Sequence, residues 1–375
     1  MQLVSHSSSS SAARSSLLLR IILSIHFATD LARSTGTWAA LRRQYIRQVL
    51  LQRGGSDDKS PDFLNKYEAQ GDDVTKNTTE ERPLLCSTHS LRGERHYMED
   101  EYFVGDEGRF AAVFDGHGGA AVSRYLRQNL YANVQAALPS AGGTIMEGRQ
   151  DATPDDIVIA SAVCAAFDKI DSEVQDISHW SFQGSTALAV VIHQHIDGTR
   201  TIICGNVGDS HAILSRSKQA VDLTRDHKPN DEIERNRIVK LGGTVDWCGQ
   251  VDGQGQPVER TGVYRINGNL ALSRSIGDRS ERPWVSSEVE IKLHKVEEAD
   301  DSFVLLATDG LFDVMTSQEV VSFVHQVLDC TPTLQNETRT SMAKAVVEEA
   351  LRRGSTDNVT VVIIWLRGGV KDKIT

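Results

Sequence analysis

The sequence predicts an α+β fold in which sheets and helices are stacked in layers. Five segments are apolar on both faces and rich in β-branched residues, and stretches with helical periodicity lie between them. A strand that is apolar on both faces must be covered twice, so we expect a second sheet on one side and helices on the other. The five strand segments are 109–115, 185–193, 201–215, 302–309 and 358–366, of which 201–215 is long enough for a hairpin.

The helices are predicted from apolar stripes and end signals. Residues 120–138 and 154–175 both repeat apolar side chains at helical spacing, and we expect each stripe to pack in the core. Thr316 and Glu319 have the spacing of a capping box and predict the start of another helix. A last helix over 341–353 should stop at the glycine that follows it.

Charge is distributed unevenly along the 375 residues. Residues 1–55 contain seven arginines, no lysine and one acid, Asp30, which gives this segment a net charge of +6. Because the whole chain carries −11, the remainder carries −17. An acidic surface repels a phosphate backbone, which argues against nucleic acid as the main partner. Clustered carboxylates indicate a divalent metal instead.

The basic segment 1–55 has the composition of a mitochondrial transit peptide, because its arginines alternate with serine and apolar residues. A secretory signal and a disordered tail are the alternatives. Its apolar run, 17–25, is interrupted by Arg20 and is far shorter than the ~20 residues that span a bilayer, so no transmembrane segment is expected. The remaining segments are predicted to be a polar linker (56–83), a folded domain (84–368) and a short tail (369–375).

The five cysteines are scattered without a close pair, which indicates neither a disulfide framework nor a cysteine zinc site. This usage favours a reducing, intracellular compartment. Three N-x-S/T triplets make a secreted glycoprotein a further alternative, but such triplets arise readily by chance.

A glycine pattern follows the first apolar strand segment. Gly116, Gly118 and Ala121 match the G-x-G-x-x-A pattern of dinucleotide-binding proteins. That site also needs an acidic residue ~20 positions further on to hold the ribose. Residues 120–146 contain no Asp or Glu, which excludes this interpretation.

Acidic residues recur at the ends of the predicted strands, each beside glycine or a turn residue. One such acid alone is more often a turn former or a helix cap. Several together provide the carboxylate oxygens that Mg²⁺ or Mn²⁺ prefers, and glycine lets the backbone approach the ion. The acids concerned are Glu99, Asp100, Asp115, Asp209, Asp309 and Asp357.

Eight ordered motifs carry a resemblance to a known family: RHYMED, VFDGHGG, GSTA, NVGDSHAIL, DHKP, LALSRSIGD, ATDGLFDV and DNVT. In order and spacing they resemble the PPM, or PP2C, family of metal-dependent protein serine/threonine phosphatases, over residues 84–366. The resemblance implies a four-layer α-β-β-α sandwich of two antiparallel sheets. It also implies a phosphorylated protein substrate and a catalytic domain that we expect to be monomeric.

The resemblance assigns metal-binding roles to the acids. It implies that Asp115 bridges two Mn²⁺ or Mg²⁺ ions and that Gly116 offers its carbonyl oxygen. The other roles that it implies are further ligands (Asp309 and Asp357), acids that hold metal-bound waters (Glu99 and Asp100), and a weaker third metal site (Asp209 and Asp313).

The implied reaction is phosphomonoester hydrolysis by a hydroxide that bridges the two metals, without a phosphoenzyme. Arg95 matches the family's phosphate-binding arginine, and His117 matches its general acid. Outside this pattern, Arg95 would be a solvated surface arginine and His117 a turn histidine. Thr186 and the SRSIGD segment are expected to shape the cleft.

Two positions depart from the family pattern: His211 replaces the usual arginine, and Val289 replaces the usual proline. They leave open a pseudophosphatase that binds phosphoproteins as a scaffold. The polar, glycine-rich segment 247–268 matches the family's variable flap and should contact the phosphoprotein. The basic segment together with this resemblance predicts a mitochondrial matrix location, with a cytoplasmic location as the alternative.

Overall fold

The computed structural model describes residues 83–138, 153–258, 261–332 and 335–367, and these residues form two five-stranded antiparallel sheets with helices packed on their outer faces. The predicted targeting segment, the linker up to residue 82 and the C-terminal tail lie outside the described residues. None of the described helices combines the length and the apolar character needed to cross a membrane.

The first sheet contains strands from both ends of the described chain. In spatial order it consists of β1 (Cys86–Leu91), β15 (Val359–Trp365), β14 (Asp301–Ala307), β8 (His211–Arg216) and β9 (Gln219–Asp222). The second sheet, in the same sense, consists of β13 (Glu290–Lys295), β7 (Arg200–Val207), β6 (Ala187–Gln194), β3 (Phe110–Phe114) and β2 (Glu101–Gly105).

Two smaller sheets lie beside the main pair. One is made of β12 (Ile276–Gly277), β5 (Gly184–Ser185) and β4 (Gly116–His117), and the other is a hairpin of β10 (Val245–Cys248) and β11 (Val263–Ile266). The helices are α1 (Ala121–Ala137), α2 (Pro154–Gln175), α3 (Glu232–Lys240), α4 (Asp309–Phe312), α5 (Ser317–Cys330) and α6 (Gln335–Arg352). Single 3₁₀ turns cover Asp106–Gly108, Ser178–Trp180 and Arg279–Glu281.

The central strands bury both faces, as the sequence predicts. In β15, Val361 and Ile363 pack with α5 and α6, while Val362 and Ile364 pack in the core between the two sheets. Full burial of such a side chain contributes roughly 1.5–3 kcal/mol. The predicted α-β-β-α sandwich is therefore confirmed, with α1 and α2 covering the second sheet.

The hairpin predicted over residues 201–215 is wrong. β7 pairs with β6 and β13, whereas β8 pairs with β14 and β9, so the two strands belong to different sheets. Gly208, with φ +110°, lies in the connection and allows the sharp turn between the sheets. An apolar pattern predicts that a strand is buried, but it does not predict which sheet the strand joins.

The helix ends agree with the capping signals. Thr316 accepts a hydrogen bond from the Glu319 backbone and Glu319 reaches back, so the predicted capping box is present at α5. A second box, Thr153 with Asp156, begins α2. The last helix ends at Arg352 as expected but begins at Gln335, earlier than the apolar pattern indicates.

Antiparallel pairing brings the acidic motifs to one end of the sandwich. β3 ends where β2 and β6 begin, and β7 ends at the same edge as the start of β6. In the other sheet, β14 ends where β15 and β8 begin. Segments far apart in sequence are therefore adjacent at this edge.

Candidate active site

Buried carboxylates gather at this end of the sandwich. Burial is the main cause that raises the pKa of Asp115 well above its ordinary value, and the neighbouring charges of Asp100, Asp309, Asp209 and Asp357 raise it further. Like charges interact this strongly only when they lie close together in a weakly solvated place. These five sequence-predicted acids thus share one site.

Asp115 is held in place through its backbone. It follows β3, and its amide donates to Thr186 Oγ1 at 3.0 Å while its carbonyl accepts from the Thr186 amide at 2.9 Å. The Thr186 hydroxyl also lies 2.6 Å from Ser210 Oγ. Thr186 therefore fixes the backbone at the end of β3, and the fixed backbone orients the Asp115 carboxylate. This contact agrees with the expected structural role of the GSTA motif.

Asp100 and Asp309 approach the site from opposite sheets. Asp309 is the first residue of α4, and the preceding Thr308 hydroxyl donates to Asp100 Oδ2 at 2.8 Å. The other oxygen, Asp100 Oδ1, is buried without a hydrogen-bond partner among the described residues. Burial raises the pKa of Asp100 to about 7, and burial followed by the charge of Asp209 raises the pKa of Asp309 to about 8.

Gly116 lies where the chain passes closest to the loop that carries Glu99. A Cβ at Gly116 would lie 2.5 Å from the Glu99 carbonyl oxygen, so only glycine fits here. The Ser123 hydroxyl, from α1, donates to the same carbonyl at 2.6 Å. These contacts set the position of Glu99 relative to Asp115.

Asn358 joins the same loop to the start of β15, and sequence reasoning assigned it no role. Its Oδ1 accepts from the Glu99 amide at 2.7 Å, and its Nδ2 donates to the carbonyls of Arg92 at 2.8 Å and Tyr97 at 3.1 Å. The DNVT motif therefore supplies both a carboxylate, Asp357, and the amide that anchors the facing loop.

Two basic side chains pair with the acids. Arg95 lies 2.5 Å from Asp357 Oδ2, and its side chain is 58% exposed at the rim. Lys228, from the DHKP motif, pairs with Asp209 on the other side of the cluster. Its positive charge also lowers the pKa of Asp309 and of Asp313, which partly offsets the increase caused by burial. The sequence predicted Arg95 at this site, whereas the place of Lys228 was not predicted.

His117 has an acidic partner that the sequence did not reveal. Its Nε2 lies 2.7 Å from Oδ2 of Asp278, a buried residue of the LALSRSIGD motif. Burial lowers the pKa of His117, but the hydrogen bond and charge of Asp278 outweigh burial, so the pKa lies above its ordinary value. Asp278 in turn accepts a hydrogen bond from Ser275 Oγ.

The donor set suits hard divalent cations. It consists of carboxylate and backbone oxygens, the ligands that Mg²⁺ and Mn²⁺ prefer. The raised pKa values and the unpartnered Asp100 Oδ1 indicate oxygens that would be stabilised by a cation. Asp313, just after α4, also has a pKa raised by burial, and together with Asp209 it marks the side of the cluster predicted to hold a third ion.

A comparison with family models decides the assignment. The model described as "Protein phosphatase 2C" matches residues 85–359, which is most of the chain. The chain belongs to the PP2C family. The resemblance inferred from the motifs is confirmed, and with it the class of enzyme, because this is a family of metal-dependent protein phosphatases.

Curated PP2C proteins and solved structures agree with this assignment. The chain is 33% identical over 283 residues to "Probable protein phosphatase 2C 59" of Oryza sativa subsp. japonica, covering 73% of each. It is also 33% identical to "Probable protein phosphatase 2C member 13, mitochondrial" of the same organism, covering 76% of this chain and 69% of the relative. The structure titled "Structure of a C.elegans sex determining protein" superposes with a TM-score of 0.62 at 26% identity, covering 82% of this chain and 72% of that one.

The two departures from the PP2C pattern lie at the starts of β8 and β13. His211, the first residue of β8, lies 2.8 Å from Asp226 through Nδ1 and 3.0 Å from Asp222 through Nε2. Val289 is half-buried next to β13. The flap predicted over 247–268 contains most of the β10–β11 hairpin, in which Trp247 packs edge-on against Tyr264.

Proposed function

We propose that the chain hydrolyses phosphoserine and phosphothreonine in proteins at this carboxylate cluster. This proposal rests on five buried or half-buried acids that come together at one end of the sandwich. Their motifs are spread over 257 sequence positions, from Asp100 to Asp357. Arg95 at the rim and His117 two residues after Asp115 supply the other groups that phosphomonoester hydrolysis needs.

Two Mn²⁺ or Mg²⁺ ions would be held by Asp115, the Gly116 carbonyl, Asp309 and Asp357. Glu99 and Asp100 would orient metal-bound water. Asp209 and Asp313 would serve a weaker third ion. When bound, the two ions supply Lewis-acid activation of a water molecule and neutralise the phosphate charge. The chain's own contribution is to orient these oxygens, which the contacts of Thr186, Ser123 and Asn358 support.

Arg95 binds the phosphate in this proposal. Its planar guanidinium can donate to two phosphate oxygens, and its exposed position at the rim allows the side chain to turn from Asp357 toward a substrate. The exchange of one anionic partner for another keeps the arginine charge neutralised throughout.

His117 supplies the proton for the leaving serine or threonine oxygen. Asp278 accepts a hydrogen bond from Nε2 and favours the protonated ring, so the proton available for transfer is the one on Nδ1. A pKa above the ordinary value favours the protonated ring that a general acid needs. The alternative of a pseudophosphatase scaffold has no support from the cluster, because none of the expected acids is replaced.

Phosphate release from a phosphothreonine peptide tests the proposal. The full-length chain should release phosphate with Mn²⁺ or Mg²⁺ and none with EDTA, and a phosphoserine peptide should also be a substrate. Lack of release under every metal condition would contradict catalysis and favour the scaffold.

We also propose a mitochondrial location, supported by the composition of residues 1–55 and by the printed name of one rice relative. A fluorescent fusion of the full chain should colocalise with mitochondria, and deletion of residues 1–55 should send it to the cytosol. An unchanged location after the deletion would contradict the proposal.

A further inference from the structure

A second cluster of metal-binding side chains lies at the end of the sandwich opposite the acidic cluster. Asp156, His193 and His195 each place a ligand atom within 4.8 Å of the others. Thr186, which contacts Asp115, immediately precedes β6, and His193 lies seven residues further on, roughly 23 Å away along the extended chain. This cluster is therefore separate from the carboxylates proposed for catalysis.

The two histidines come from one hairpin, and the carboxylate comes from the helix above it. His193 lies near the end of β6, opposite Thr201 of β7, and the backbone amide of His195 closes the turn by donating to Thr199. Because Ile192 packs between the sheets, its neighbour His193 faces the helical side. Asp156 lies there, in the first turn of α2.

The two oxygens of Asp156 have different surroundings. Oδ2 accepts hydrogen bonds from the Thr153 amide at 3.1 Å and the Thr153 hydroxyl at 2.9 Å. Oδ1 lies 2.7 Å from His193 Nδ1 and 3.6 Å from His195 Nε2. The capping box thus fixes the carboxylate through one oxygen and turns the other toward both imidazoles, as outer partners commonly do for a metal ligand.

The distances suit a tetrahedral ion. Ligand atoms bound to zinc at ~2.0–2.1 Å lie roughly 3.3 Å apart, and the two distances from Asp156 Oδ1 fall on either side of that value. These two distances therefore need to change by less than about 1 Å, and the two histidine nitrogens lie within 4.8 Å of each other. Thr201 Oγ1, now 2.8 Å from His195 Nε2, is also 3.4 Å from Asp156 Oδ2, so its hydroxyl can turn to that oxygen.

The ligand types select against the ions expected at the catalytic end. Burial raises the pKa of Asp156, but hydrogen bonds from His193 and Thr153 outweigh it, so the carboxylate is charged. Two imidazoles and one carboxylate favour Zn²⁺ and similar transition ions over Mg²⁺, which prefers oxygen alone. Asp156 is 1% exposed and His193 is 8% exposed, so two ligands are shielded from bulk water, whereas His195 is partly exposed and leaves room for a water ligand.

We propose that Asp156, His193 and His195 form a zinc site, with water as the fourth ligand, that fastens the start of α2 to the β6–β7 hairpin. Zinc bound only by the folded chain stabilises it by mass action. The site supplies no step in dephosphorylation, so its presence is independent of the proposed activity.

Cobalt absorption tests the site directly, because Co²⁺ held by nitrogen and oxygen in four-coordinate geometry absorbs visible light far more strongly than six-coordinate Co²⁺. Untagged full-length chain, kept in excess Mg²⁺, is titrated with Co²⁺ and then with Zn²⁺. We expect an intense band at one equivalent of Co²⁺ that Zn²⁺ removes, and a melting temperature that rises with Zn²⁺.

Four variants locate the band. His195→Ala, at a side chain that is 13% exposed, should weaken Co²⁺ and Zn²⁺ binding by at least about 10-fold, and Thr201→Val provides a milder perturbation if that variant folds poorly. His179→Ala, at an exposed histidine, is the matched control and should bind as the wild type does. Asp115→Asn should keep the band. Loss of the band in Asp115→Asn, an unchanged band in His195→Ala, or no intense band in the wild type would overturn the proposal.

Discussion

At the scale of single residues, the cluster shows why some roles can be predicted from sequence and others cannot. Asp115 and Asp309 each follow an apolar strand and precede a glycine, and Asp357 lies in the turn before an apolar strand, so the local pattern already indicates a cation. The partner of His117 is 161 positions away in the chain, and nothing near either residue indicates that they meet. Lys228 and Asn358 were missed for the same reason.

Asp278 positions His117 and sets its proton affinity, which gives the first prediction. Asp278→Asn removes the charge that raises the pKa of His117, so His117 should lose its proton at a lower pH. We expect kcat to fall, KM to change little, and the alkaline limb of the kcat–pH profile to move to lower pH. The control Ser275→Ala removes another hydrogen bond to Asp278 but leaves its charge. An unmoved alkaline limb in Asp278→Asn would contradict the assignment.

Arg95 gives a prediction on substrate binding. Arg95→Ala should raise KM for a phosphopeptide by about 10-fold, since a hydrogen bond to a charged group contributes about 1.5–3 kcal/mol. It should change kcat much less. Arg92 is an exposed arginine in the same loop, and its side chain donates to the His96 carbonyl. Arg92→Ala is therefore the matched control variant. Equal KM values for the two variants would refute a phosphate-binding role for Arg95.

At the scale of elements, apolar pattern and capping signals place most helices and strands but not their partners. The strands over 109–115 and 358–366 were found because each is an unbroken apolar run, with aromatic residues at both ends of the first and β-branched residues through most of the second. β4, β5 and β12 have two residues each, too few for any periodicity. β7 and β8 were found as strands, but their division between sheets depends on contacts with β13 and β14, far along the chain.

The capping box of α5 can be tested as an element. Thr316→Ala removes the side-chain acceptor of the Glu319 amide and should lower the free energy of unfolding by about 1 kcal/mol. Urea unfolding monitored by circular dichroism measures this value. Ser322→Ala, on the exposed face of the same helix, should have a smaller effect. Equal effects of the two substitutions would show that the capping box adds nothing to stability.

At the scale of the whole molecule, the four layers were predictable because strands apolar on both faces require cover on both sides. How the irregular segments are fixed against the sandwich was not predictable. Glu234 of α3 is fully buried and pairs with Arg274, while Arg237 and Ser273 bind its other oxygen. This network ties α3 to the LALSRSIGD segment and hence to Asp278.

That network predicts a pH-dependent stability. Burial raises the pKa of Glu234, but the hydrogen bonds and charges of Arg274 and Arg237 outweigh it and bring the value to about 2. Because this pKa is lowered, the charged Glu234 carboxylate stabilises the fold fully at pH values above the ordinary pKa of glutamate. This stabilisation is lost as the pH falls toward 2. Glu234→Gln should therefore lower the free energy of unfolding by about 3 kcal/mol at pH 7.

The difference in the free energy of unfolding between the wild type and Glu234→Gln should become smaller as the pH falls below the ordinary pKa of glutamate. Urea unfolding at pH 7 and at successively lower pH values measures it. Glu232→Gln, at an exposed position of the same helix, should change stability by less than about 0.5 kcal/mol at each pH. A difference for Glu234→Gln that is constant with pH would contradict the pairing.

Dephosphorylation should depend on the divalent cations that Asp115 is proposed to hold. The measurement that tests it most directly is the initial rate of phosphate release from a phosphothreonine peptide as a function of Mn²⁺ concentration, for the full-length chain and Asp115→Asn side by side. We expect saturable activation in the wild type and a rate at least about 100-fold lower in the variant, because several kcal/mol of charge stabilisation is lost. A variant rate within about twofold of the wild type at saturating Mn²⁺ would contradict the account.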